Sequence, residues 1–159
     1  MTEIFNNYGH TIVFFHILSA FVWVGGMIII RLAVHPIMQS IDDPKIKLGK
    51  TLQIMGKLFH LVLPFILYLL VSGLIMAIAL NGHHTDQKVL FLTKEILWTI
   101  MTLNYVYMYI KRRKAWKLFE AGELPLAKAQ VANIPNLLLP LNIVLGIIAL
   151  WMGVSLRGL

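Results

Sequence analysis

Residues 11–36 read TIVFFHILSAFVWVGGMIIIRLAVHP, and this stretch decides the fold. A bilayer's hydrocarbon core is crossed by about 20 apolar helical residues, and this run is long and apolar enough to do so. Yet it carries His16 inside the apolar run, Trp23 with Gly25 and Gly26 at its middle, and Arg31 and His35 towards its far end. Ionisable side chains in a spanning helix are costly, so they mark a site. The rest of the chain is the frame that gives those groups neighbours.

The composition has the same character throughout. Of 159 residues, 58% are hydrophobic and 13% charged, with a mean hydropathy of +0.77. A soluble domain of this size is nearer a quarter charged. The length predicts one membrane domain over residues 1–159. There is no cysteine, which excludes disulfides, thiolate metal sites and cysteine nucleophiles. The net charge is +7, but the cations are confined to a few loops, which orients a membrane protein rather than forming a nucleic-acid patch. Residues 1–10 hold Glu3 and no Lys or Arg, unlike the basic start of a secretory signal, so no cleavage is expected.

Four apolar stretches are predicted as spans: 11–34, 58–80, 90–110 and 134–156. Open sheet edges cannot face lipid, so the spans must be helices. The first connection is polar. Asp42, Asp43 and Pro44 read as a turn and helix start, followed by Lys45, Lys47, Lys50 and Lys57. The second, around Asn81, Gly82, His83 and His84, has turn chemistry. The third holds Lys111, Arg112, Arg113, Lys114, Lys117 and Lys128, with a helical stretch around 126–131. The positive-inside rule places the first and third connections in the cytoplasm, and both termini and the His83 turn outside. Short connections make neighbouring helices antiparallel, which predicts an all-α, up-down four-helix bundle in the cytoplasmic membrane. Its glycines suit close helix approach, and a homodimer is compatible with them.

With about 1.5 Å of rise per residue, the polar groups sort into two layers. His16, Lys94 and Glu95 share an outer depth, with His10, His83 and His84 at the rim. Arg31, His35, Lys57, His60 and Asn133 share an inner one, where Tyr105, Tyr107 and Tyr109 end the third span and Asn104 lies deeper. His16, Trp23, Met27 and Arg31 fall on one broad face of the first helix, which connects the layers. Neutral imidazole is a common axial ligand of haem, and Arg or Lys can pair with its propionates. His16, and His35 with His60, are the candidate metal ligands; Trp23 is placed to pack on a macrocycle. Imidazole with thioether also suits copper. Each group has a structural reading too: His16 as a hydrogen-bonded packing residue, Lys94 and Arg31 as snorkelling cations.

Several of these residues resemble a known family. His16, Trp23, Arg31, Leu32, Val34 and His35 are similar to the first helix of the HemJ membrane protoporphyrinogen oxidases. Leu58, Phe59, Pro64 and Gly73 resemble its second helix, and Lys94 its early third-helix lysine. The run from Ile134 through Leu139 looks like its fourth-helix element, with Asn133 where that family has an acid. The opening also resembles the CopD-type copper-resistance membrane domains of the wider superfamily. The resemblance implies a membrane protein that binds haem b, with His16 and Lys94 as functional residues.

Three functions follow as expectations. The first is an oxidoreductase-like haem b protein with His16 and Lys94 at its centre, Trp23, Arg31, His35 and His60 as further cofactor contacts, and a porphyrin, quinone or electron-transfer partner. The second is copper handling, with His10, His83 and His84 as a loading site. The third is a membrane assembly subunit whose polar groups serve packing.

Overall fold

The computed structural model describes residues 2–82 and 88–155. Among them the chain is all α-helical. Helix α1 spans Thr2–Ile29, continues through a π-helical turn at Ile30–Val34, and ends in α2, His35–Gln39. Then come α3, Pro44–Ala79, and α4, Lys88–Glu120. Helix α5, Leu124–Val131, leads through a second π-helical turn, Ile134–Leu138, into α6, Leu139–Ser155. Four of these units are long and apolar enough to cross a membrane: Thr2–Gln39, Pro44–Ala79, Lys88–Glu120 and Leu124–Ser155. The chain is thus a multi-pass helical membrane protein.

Local chemistry sets the breaks between helices. The Asp43 carboxylate caps α3, accepting from the backbone N–H of Lys45 at 2.7 Å and of Ile46 at 3.0 Å, with Pro44 in the first turn. Helix α3 ends at Asn81, whose φ of 54° is the left-handed conformation that asparagine tolerates. Helix α4 ends at Gly122, at φ 82°, where a side chain would be strained.

The spans close a ring: α1 packs on α3, α3 on α4, α4 on α6, and α6 back on α1. Sequential neighbours are antiparallel. His16 meets Ser72 while Gly26 meets Leu58. Phe59 meets Tyr105 while Gly49 meets Phe119. Asn104 meets Leu138 while Lys94 lies beside Gly153. The interior is filled by Trp23, Met27, Val62, Ile66, Met101 and Met108. The outward faces are as apolar as the interior. Phe21, Leu32, Leu103 and Trp151 are each more than 60% exposed, which suits lipid and not water. Trp151, which could have anchored at an interface or turned inward, faces outward.

The helices outrun the apolar stretches. At about 1.5 Å per residue, α3 is about 54 Å long and α4 about 50 Å, against about 30 Å of hydrocarbon. The surplus lies at the basic end. Much of what the sequence reads as the first connection is the start of α3, because Leu48, Leu52 and Met55 form one buried stripe while Lys45, Lys50 and Lys57 stay exposed. The third connection likewise continues α4, with Ala115 buried beneath Ala127 and Val131 of α5.

Candidate functional site

All four spans contribute to one polar site near the end opposite the basic one. His16 comes from α1, Ser72 and Gly73 from α3, Lys94 from α4 and Gly153 from α6. His16 Nδ1 lies 2.7 Å from Ser72 Oγ. The Ser72 hydroxyl donates to the Tyr68 carbonyl at 2.6 Å, with a longer branch to Leu69 at 3.4 Å. A hydroxyl has one proton, and here it is committed to the backbone. Ser72 Oγ therefore accepts from His16 Nδ1–H, which leaves the lone pair on Nε2. This is the tautomer that a metal-ligating histidine adopts when a second group holds its other nitrogen.

Lys94 lies within electrostatic range of His16. Both side chains are half-buried, while the adjoining Glu95 is exposed. Among the described residues no carboxylate pairs with Lys94. Two glycines let the site's side chains lie close to the neighbouring helix backbones. A Cβ at Gly153 would stand 3.2 Å from Lys94 Nζ, and one at Gly73 would stand 3.9 Å from His16 Cε1. His10 lies further out on α1, exposed in a shallow groove beside Phe5, Gly9 and Val13. His83 and His84 lie outside the described residues.

Trp23 sits two turns inward and is 2% exposed. Its ring meets Tyr105 edge-on at 6.5 Å, and Tyr105 in turn meets Phe59 at 5.5 Å. The Tyr105 hydroxyl donates to the Phe59 carbonyl of α3 at 2.7 Å. The middle of the bundle is thus packed with aromatic side chains, and the polar side chains of the site lie at the His16 level.

The inner residues do not gather at one point. Arg31 and His35 share the π-helical turn region, with Arg31 Nη1 3.5 Å from His35 Nδ1 and Gln39 Nε2 3.3 Å from His35 Nε2. His60 is exposed on α3 and approaches the Tyr109 hydroxyl of α4 at 3.4 Å. His35 therefore has its partners along its own helix and His60 has its partner on α4. Among the described residues no group of three His, Asp or Glu side chains converges.

Three polar features escape a reading of the sequence. Asn142 is 0% exposed; its Nδ2 donates to the Met101 carbonyl at 3.1 Å and its Oδ1 accepts from Asn104 Nδ2 at 2.7 Å. Asn104 also donates to the Leu138 carbonyl at 2.8 Å, where the π-helical turn hands over to α6. Arg112 crosses from α4 to α3, its Nε donating to the Leu52 carbonyl at 2.9 Å and its guanidinium stacked 5.0 Å above the Trp116 ring. It rests on Gly56, whose missing side chain leaves the room. Thirdly, Trp98 Nε1 and Thr102 Oγ1 are enclosed and lack partners among the described residues. Thr51, Thr93 and Thr99 each donate to the carbonyl four residues back, and Thr102 does not. A signal for Asn142 did exist, as an amide inside an otherwise apolar run.

Fold and site together define a four-span helical membrane protein with a polar site built from all its spans. Comparison of the chain with family models, curated proteins and solved structures finds no match.

Proposed function

We propose that this is a membrane redox protein that would hold a haem b at the His16 level, with His16 Nε2 as the nitrogen that would bind its iron. The observation that carries the reading is the Ser72 hydrogen bond, which commits Nδ1 as donor and leaves Nε2 to bind. Lys94 would serve as a second ligand or as the cation that balances a propionate. Bound there, the haem supplies one-electron transfer, and the chain contributes ligation, charge and exclusion of water. The resemblance to HemJ points to the same two residues and to a porphyrin or quinone as electron partner. The basic connections face the cytoplasm in this reading, so the site opens to the outer half of the cytoplasmic membrane.

The test is an optical spectrum of the detergent-purified protein, oxidised and dithionite-reduced, with iron and copper assayed in parallel. A Soret band with sharp reduced α and β bands, lost in His16→Ala and kept in His60→Ala, supports the assignment. A colourless, iron-free protein from cells with ample haem overturns it. Copper near one per chain then favours the CopD-like reading, and no metal leaves the His16–Ser72 pair as a packing bond.

A further inference from the structure

One face of α4 changes character along a single stripe. Leu103, Val106, Tyr107 and Ile110 are exposed and mostly apolar, and Arg113, Lys114 and Lys117 continue the same stripe at helical spacing. The opposite face, through Met101, Tyr105, Met108 and Ala115, is buried in the bundle. The change falls where the span leaves its apolar run, at the interface between hydrocarbon and water.

At that point Tyr109, Ile110, Arg113, Lys114 and Lys117 line an open groove. Its floor is fixed. Tyr109 stacks on Tyr105 with ring centroids 6.3 Å apart and is approached by His60. The Arg113 guanidinium stands 6.0 Å from the Tyr109 ring centre. Residues 96–119 of α4 contain no acid, and the first one, Glu120, comes a turn beyond Lys117 at the far end of the stripe, so the cations outnumber it three to one. Like charges held this close repel unless an anion lies between them. An arginine with flanking lysines is suited to a phosphodiester, which offers two acceptor oxygens to the guanidinium fork.

We propose that this groove is a binding site for an anionic phospholipid. Arg113, Lys114 and Lys117 hold the headgroup phosphate, and the acyl chains run down Ile110, Val106 and Leu103. The continuity of cationic groove and lipid-facing stripe on one helix face selects a lipid over a soluble anion, because only a lipid fills both parts.

The experiment reconstitutes the native chain in phosphatidylcholine bilayers and compares the association of spin-labelled phosphatidylglycerol with that of spin-labelled phosphatidylcholine. A several-fold preference for phosphatidylglycerol is expected, falling by up to about fivefold for each cation removed. The combined variant Arg113→Gln, Lys114→Gln, Lys117→Gln is expected to abolish it. A control variant, Lys45→Gln, Lys50→Gln, Lys128→Gln, removes the same charge from exposed positions at the same end and is expected to keep it. No preference in the native chain, or equal loss in both variants, overturns the site in favour of general surface charge. Displacement of the labelled lipid by excess inorganic phosphate overturns it in favour of a soluble anion.

Discussion

Gly146 is where α6 lies against Val24 of α1, and replacing it with alanine gives a sharp test of the bundle. A Cβ there would stand 2.6 Å from Val24 Cγ2, 3.3 Å from Val24 Cγ1 and 3.2 Å from Met101 Cε. Methionine can yield, but valine in a helix is held to one rotamer and cannot. Overpacking of this kind costs about 1–3 kcal/mol. Against it stands the helix-propensity gain of glycine to alanine, about 1 kcal/mol. The net expectation for Gly146→Ala is a loss of up to about 2 kcal/mol. In a Val24→Ala background the obstructing methyls are gone, and the same substitution should stabilise by about 1 kcal/mol. The assay is equilibrium unfolding in mixed lipid–SDS micelles followed by helical circular dichroism, over the four-member cycle. Stabilisation by Gly146→Ala in both backgrounds would mean that the two helices are not in contact there, and the packing of α6 on α1 would have to be abandoned.

The other expectations are smaller. Ser72→Ala removes the bond that fixes the His16 tautomer, at about 0.6–1.7 kcal/mol of stability, and a bound metal centre should weaken by about 10–100-fold; unfolding and haem-retention measurements read the two separately. Thr102→Val takes away an enclosed hydroxyl that has no partner among the described residues, so stability should hold or rise by up to about 1 kcal/mol. Asn142→Leu should instead cost about 1–3 kcal/mol, because it strands an Asn104 N–H. Gly56→Ala displaces the Arg112 guanidinium and should destabilise, whereas in an Arg112→Leu background it should stabilise by about 1 kcal/mol through helix propensity alone; thermal melts of the four proteins decide.

The four crossings are legible in the sequence because contact with lipid leaves a compositional mark, and Asp43 with Pro44 announces the start of α3. The helix lengths are less legible. Nothing in the run from Lys45 to Lys57 stops a helix, and only its buried Leu48, Leu52 and Met55 stripe shows that it continues one. That His16 and Lys94 lie at one level follows from counting residues from the ends of their spans. Ser72 does not follow from counting, since a serine in an apolar helix commonly bonds its own backbone, and only the docking of α1 on α3 turns it towards His16. The separate surroundings of His35 and His60 are likewise a matter of which helix faces meet, and helix periodicity alone does not fix that.

The length of α3 and α4 also governs how the protein can move. Each passes from hydrocarbon into water without a break, and Arg112 buckles the two together at Leu52 just beyond the crossing. A piston stroke of one turn, about 5.4 Å, would drag the cations that begin at Lys111 towards the hydrocarbon, where each costs up to about 2.5–3.5 kcal/mol. The stroke would also have to break the buckle if α4 moved alone. Travel in that direction is therefore closed to this pair.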